Sequence, residues 1–175
     1  MITDVPLDHS ALVPVAFGLV ALACVGIGHA GLRGGVVGCR LLWALTGLSA
    51  LVVLALTLSP GGQSGRDAAC TVQFALPTLT RVELLANVAL FVPPVLFATL
   101  AARRPLLVMA AAVGASAAIE GLQAAVPAIG RACDTNDWLM NALGVLVGAL
   151  LAQGTLATAG GARTGPARLP SDGSR

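Results

Sequence analysis

Five predominantly apolar stretches, each about as long as a bilayer is thick, are the feature that most constrains how this chain can fold. Each has roughly 18 to 21 residues, and an α-helix of that length crosses a hydrocarbon core of about 30 Å. The stretches do not alternate between apolar and polar residues, as the strands of a transmembrane β-barrel do. The sequence therefore predicts an all-α integral membrane bundle of five transmembrane helices. The predicted spans are residues 12–29, 41–58, 84–102, 106–126 and 138–156.

The composition supports a bilayer as the solvent. Hydrophobic residues make up 57% of the 175 positions and charged residues only 10%, with a mean hydropathy of +0.88. A water-soluble domain of this size is less apolar. The arginines are dispersed and form no basic face beside stacking aromatics, so we expect no nucleic acid as a partner.

The distribution of arginines predicts the orientation, because cytoplasmic segments carry the excess of positive charge. Three arginines lie on the side to which residues 59–82 and 127–137 belong, together with most of the acidic residues. We therefore expect the N-terminus outside and the C-terminus inside. Residues 1–158 should form one membrane domain, and the Gly-, Ala- and Arg-rich tail 159–175 should be disordered. The seven arginines on the inner side are Arg33, Arg40, Arg103, Arg104, Arg163, Arg168 and Arg175.

Polar residues of the fifth predicted helix recur at helical spacing. Asp134, Asp137, Asn141, Gly144 and Gly148 are three or four residues apart, which places them within about 80° of arc on one face. The glycines would let another helix approach closely, and plain packing is the simplest explanation of them. Asn141 is either part of a binding site or an interhelical hydrogen-bonding residue.

The fourth and third predicted helices carry similar polar faces. Ser116, Glu120 and Gln123 share one face of the fourth helix, and Asn87 lies near the outer end of the third. A carboxylate inside a membrane is costly, so Glu120 should face the bundle or a cleft, with Arg131 as its expected partner. The alternatives are a structural hydrogen bond or a protonated acid. Three polar faces that share one end predict a cleft open to the outer leaflet.

Two of the four cysteines, Cys70 and Cys133, fall in the outer segments, on the oxidising side of the membrane. We expect them to form a disulfide, which would hold Arg131 and Asp134 over the mouth of the cleft. Two unrelated thiols are the alternative.

The order of the polar residues resembles that of the VanZ-like family of bacterial membrane proteins. The segments Asn87-Val-Ala-Leu-Phe-Val-Pro93, Glu120-Gly-Leu-Gln123 and 131–144 are similar to the patterns N-x-x-L-F-x-P, E-x-x-Q and R-x-x-D-x-x-D-x-x-x-N-x-x-G. The similarity covers residues 81–148. It implies a multi-pass protein of the bacterial cytoplasmic (plasma) membrane, in a family whose founding member is associated with low-level teicoplanin resistance. It implies no catalytic residues.

Two functional hypotheses follow. In the first, a non-enzymatic envelope protein binds a membrane lipid or a lipid-linked cell-wall component in the outer leaflet and thereby lowers drug susceptibility. In the second, an intramembrane hydrolase or transferase acts on a lipid-linked envelope precursor. It uses Glu120 as general base or metal ligand, and Arg131 neutralises a phosphate or a carboxylate. A transporter is least favoured, since five helices without an internal repeat lack the usual inverted repeats.

Both hypotheses rest on the same side chains. We expect no resident cofactor and no His-rich metal site, because His9 and His29 lie on opposite sides of the membrane and there is no H-E-x-x-H motif. In the second hypothesis, Glu120 with Asp137 or Asp134 could still form a paired-carboxylate site or bind a divalent cation together with a lipid pyrophosphate. Whether the chain forms a homo-oligomer is left open by the sequence. The candidate ligand-binding residues are Asn87, Glu120, Gln123, Arg131, Asp134, Asp137 and Asn141.

Overall fold

The computed structural model describes residues 12–59, 72, 82–126 and 134–161. Within these ranges, five α-helices of 21 to 27 residues are each long and apolar enough to cross a membrane. The predicted all-α bundle of five transmembrane helices is therefore confirmed. The helices are α1 (Leu12–Arg33), α2 (Gly35–Leu58), α3 (Val82–Ala102), α4 (Pro105–Ala125) and α5 (Thr135–Gly161).

The helices extend beyond the predicted spans, most of all between α1 and α2. Only Gly34 separates these two helices, so Arg40 lies inside α2 instead of in a loop. Gly35 has a φ of +59°, a value that glycine adopts without strain. A Cβ atom on Gly38 would overlap the carbonyl oxygen of Gly31. Glycines therefore let the chain reverse within a single residue.

Helix α3 is the centre of the bundle, since it contacts all four of the other helices. Its residues from Val95 to Leu100 are all buried, although Pro93 and Pro94 lie inside the same helix and have no N–H to donate. Residues of α2, α4 and α5 pack around Phe91 and Val95. A helix surrounded in this way presents little backbone to lipid, which is what tolerance of prolines in a membrane requires.

Helix α5 packs closely on α3 through its two glycines. A Cβ on Gly144 would overlap the carbonyl oxygen of Val88, and one on Gly148 would lie 2.8 Å from the carbonyl oxygen of Val92. The predicted close approach of another helix to this glycine face is confirmed, and that helix is α3.

The two ends of the bundle differ in charge. The arginine end carries Arg33, Arg40, Arg103 and Arg104, where α1 meets α2 and α3 meets α4. The other end, here called the polar end, carries all the carboxylates among the described residues, which are Glu83, Glu120, Asp134 and Asp137. Helix α5 continues to Gly161, past the predicted start of the tail, and residues 162–175 lie outside the described residues.

Candidate functional site

A hydrogen bond joins α3 to α5 at the polar end. The Nδ2 atom of Asn87 donates to Oδ1 of Asp137 over 2.6 Å. Both side chains are half-buried, and each lies near the start of its helix. A hydrogen bond to a carboxylate is stronger than one between neutral groups. The polar faces of these two helices therefore meet, in agreement with the sequence analysis.

The side chain of Glu120, which belongs to α4, contacts the N-terminus of α5. Its side chain is 8% exposed, and its Oε2 atom accepts a hydrogen bond from the backbone N–H of Asp134 over 3.2 Å. The N-terminal N–H groups of a helix lack intrahelical partners and carry partial positive charge, so this position favours a carboxylate. The expected partner, Arg131, lies outside the described residues, and that pairing stays a prediction.

Asp134 orders the first turn of α5. Its Oδ1 atom accepts a hydrogen bond from the backbone N–H of Asn136 over 2.8 Å. Its carbonyl oxygen accepts from the N–H groups of Asp137 and Trp138. Asp134 thus acts as an N-cap residue, a role that carboxylate side chains fill well. The cap also fixes the position of the backbone N–H group that Asp134 donates to Glu120.

A fully buried polar pair joins α5 to α4 deeper in the bundle. The Nδ2 atom of Asn141 donates to the Oγ atom of Ser116 over 3.0 Å. Asn141 is 3% exposed, and Ser116 is completely buried. The Oδ1 atom of Asn141 and the Nε1 atom of Trp138, one helical turn away, are buried without a hydrogen-bond partner among the described residues. Within the described part of the chain, one acceptor and one donor on neighbouring positions of α5 therefore make no hydrogen bond.

Gln123 connects α4 to α2. Its side chain is 7% exposed, and its Nε2 atom donates to the backbone carbonyl oxygen of Thr57 over 2.7 Å. The last carbonyl groups of a helix have no intrahelical donor, and Thr57 belongs to the last turn of α2. The sequence analysis placed polar faces on the third, fourth and fifth helices and missed this contact with α2, because a backbone carbonyl group cannot be recognised from the spacing of side chains.

Six of the seven predicted binding residues thus make hydrogen bonds at the polar end. We call these six residues, together with Ser116, the polar cluster. Arg131 and the predicted disulfide partners Cys70 and Cys133 lie outside the described residues. Across the described ranges, no group of three or more His, Cys, Asp and Glu side chains is placed to hold a metal ion. The polar cluster consists of Asn87, Ser116, Glu120, Gln123, Asp134, Asp137 and Asn141.

Comparison with known proteins gave one match. A family model described as VanZ/LLP1 matches residues 42–157, which is more than half of the chain. The matched segment contains the whole polar cluster and most of α2, and so extends beyond the residues 81–148 that carry the sequence resemblance. No curated protein and no solved structure matches the chain.

Proposed function

Since the chain belongs to the VanZ/LLP1 family, we propose that it is a VanZ-like envelope protein that binds the polar head of an amphiphile in the outer leaflet. The ligand belongs to the class of membrane lipids and lipid-linked cell-wall components. Binding at the polar cluster contributes to low-level resistance to glycopeptides of the teicoplanin type. The polar end faces outward in this proposal, because the arginines collect at the other end.

Two buried hydrogen-bonding atoms, one in the polar cluster and one beside it, carry this proposal. Asn141 Oδ1 and Trp138 Nε1 are buried without partners among the described residues, and an unsatisfied polar atom inside a membrane protein is costly. A hydroxyl group donates and accepts at the same time, and a primary amide does so as well. A ligand head that carries such groups would satisfy both atoms at once.

The charge of the polar cluster narrows the ligand further. Glu120, Asp134 and Asp137 are hydrogen-bond acceptors when ionised, so they favour a head rich in hydroxyl or amide donors. A phosphate in the same ligand needs a cation. We assign the role of this cation to Arg131, which lies three residues before Asp134 in the sequence.

This binding offers a physical route to resistance. Teicoplanin carries a fatty acyl tail, so the drug and the ligand of the polar cluster share the outer leaflet. A protein that occupies or withdraws amphiphiles there changes the surroundings in which the acylated drug acts. The effect should be smaller for a glycopeptide without an acyl tail.

The test replaces one carboxylate by its amide. Glu120→Gln keeps the shape of the side chain and an oxygen that can accept the Asp134 N–H, but it removes the charge. We expect a susceptible host that carries this variant to lose the teicoplanin resistance that the wild-type protein confers, at equal protein abundance in the membrane.

Glu83→Gln is the matched control. Glu83 is an exposed carboxylate at the same end of the bundle and lies outside the polar cluster, so resistance should persist. Full resistance with an abundant Glu120→Gln protein would remove the carboxylate from the mechanism and leave Glu120 a packing role.

A further inference from the structure

Helices α2 and α4 hardly touch each other, although both pack on α3. At the polar end they are joined by the hydrogen bond from Gln123 to the Thr57 carbonyl oxygen. Below that bond, α2, α3 and α4 line a cavity of about 460 Å³ that is partly open to the surface of the bundle. This volume lies within the range of about 300 to 1,000 Å³ typical of ligand pockets. We call it the α2–α4 cavity.

The α2–α4 cavity is lined almost wholly by apolar side chains. The one hydroxyl in its lining, on Thr46, already donates to the carbonyl oxygen of Leu42 over 2.8 Å. Alanines on all three helices make up much of the wall, and their small side chains leave the space open. On α4 the lining runs from Leu107 to Ile119, which is about 18 Å by helical rise. One leaflet of a hydrocarbon core is about 15 Å deep, so the cavity is as long as an acyl chain.

The arginine end of the cavity is positively charged. Arg40 lies one turn beyond the lining residue Trp43 on α2, and Arg104 precedes the lining residue Leu107 by the same spacing on α4. Both arginines are exposed, and every carboxylate among the described residues lies at the opposite end of the bundle. The cavity is therefore apolar along its length and flanked by positive charge at one end. That end lies at the level of the lipid headgroups.

The start of α4 adds to this positive potential. Arg104 is its N-cap residue and makes no side-chain capping hydrogen bond. The N-cap side chain therefore leaves the first N–H groups of α4 uncapped, and such groups favour an anion. Pro105 occupies the first helical position, where its missing N–H removes no hydrogen bond.

We propose that the α2–α4 cavity holds one acyl chain of an anionic phospholipid whose phosphate lies against Arg40 and Arg104. The lipid comes from the leaflet at the arginine end, which is the inner leaflet in the predicted orientation. It bridges two helices that have few contacts of their own. This site is separate from the polar cluster at the opposite end, and it needs no contact with the ligand proposed there.

Two neighbouring alanines of α4 give a matched test of the cavity. Ala110 and Ala111 are both exposed, but only Ala111 lines the cavity. The full-length protein is reconstituted into vesicles of equal parts phosphatidylglycerol and phosphatidylcholine with identical chains, extracted in mild detergent, and weighed by native mass spectrometry. Wild type and Ala110→Trp should each retain one phospholipid, mainly phosphatidylglycerol. Ala111→Trp should retain about tenfold less, because the indole displaces several buried methylene groups.

A second pair of variants tests the charge. Arg40→Gln combined with Arg104→Gln should keep a bound lipid but lose its preference for phosphatidylglycerol, by about fivefold for each arginine removed. Arg33→Gln removes one charge at the same end, but Arg33 lines a different, small cavity beside Leu156 of α5. Its effect on the preference should stay within roughly twofold, since Arg33 flanks no lining residue of the α2–α4 cavity and its exposed charge is screened by salt.

Several results would overturn the proposal. Equal lipid retention by Ala110→Trp and Ala111→Trp would place the lipid elsewhere, and a wild-type protein without bound lipid would mean that the cavity holds none. Glycerol phosphate that competes as well as the whole lipid would show a free anion site without an acyl chain. A lipid-free wild-type dimer that Ala111→Trp converts to a monomer would show that a second copy of the chain covers the cavity.

Discussion

Replacing Asn141 by leucine should leave the bundle at least as stable as the wild-type protein. The side chains have similar size, and the change removes a buried amide oxygen that has no hydrogen-bond partner among the described residues. It also removes the hydrogen bond from Asn141 to Ser116. The Ser116 hydroxyl can then turn to a carbonyl oxygen one turn earlier in α4, as serine often does in helices.

The lost hydrogen bond and the removal of the unpaired amide oxygen change the free energy of unfolding by different amounts. An interhelical hydrogen bond in a membrane protein contributes about 0.6 kcal/mol on average and at most about 1.7 kcal/mol. A buried polar atom without a partner costs about 1 to 3 kcal/mol. The free energy of unfolding should therefore rise by about 1 kcal/mol in Asn141→Leu. Asn141→Ala loses the same bond but leaves a void, so it should lower the free energy of unfolding by about 1 to 2 kcal/mol.

Unfolding of the purified protein, freed of bound amphiphile, in mixed micelles with increasing denaturing detergent measures both variants. The proposed function adds a second readout, because Asn141→Leu offers nothing to a ligand and should lose teicoplanin resistance while gaining stability. A decrease of more than about 1 kcal/mol in the free energy of unfolding of Asn141→Leu would show that the oxygen is satisfied in the folded protein. Full resistance together with such a decrease would refute the reasoning entirely.

Three further predictions concern topology, packing and the outer segments. A reporter that works only in the cytoplasm should be active when fused after Arg104 and inactive at Gly62, and activity at Gly62 would overturn the orientation. Gly144→Ala should lower the free energy of unfolding by about 1 to 3 kcal/mol, because its Cβ would overlap the Val88 carbonyl oxygen. Gly154→Ala is the matched control and should cost little, because no atom lies within 4 Å of its Cβ position. The two outer cysteines should resist a membrane-impermeant alkylating reagent until reduced, and modification of both without a reductant would exclude the disulfide.

The five helices could be predicted because the bilayer fixes both their length and their apolar character. The residues at which the helices begin and end could not be predicted in the same way. Arg33 and Arg40 mark the limits of apolar sequence, but long arginine side chains reach water while their backbone stays helical, so α1 and α2 continue past the apolar spans. At the start of α5, the predicted span begins at Trp138, whereas the helix begins at Thr135 after the Asp134 cap.

The members of the polar cluster could be predicted, but not their pairing. Helical spacing places Asn141 and Asp137 on one face of α5, yet it says nothing about the depth or rotation of the neighbouring helices. The structure pairs Asp137 with Asn87 of α3, and it pairs Asn141 with Ser116 of α4. The close approach of α5 to α3 at Gly144 sets this register. Asn136, which is buried at the start of α5, was missed because helical spacing does not place it on the polar face of that helix.

The most direct test of the central claim is a measurement of what the polar cluster binds. Wild-type protein and the Asn141→Leu variant are purified in mild detergent from the same bacterial membranes, and the bound species are identified by native mass spectrometry. We predict that the wild-type protein retains an amphiphile with a hydroxyl- or amide-rich head and that Asn141→Leu loses it, while the phospholipid at the arginine end stays bound to both. Retention of the same hydroxyl- or amide-rich amphiphile by both proteins, or by neither, would contradict the claim that the polar cluster is a binding site.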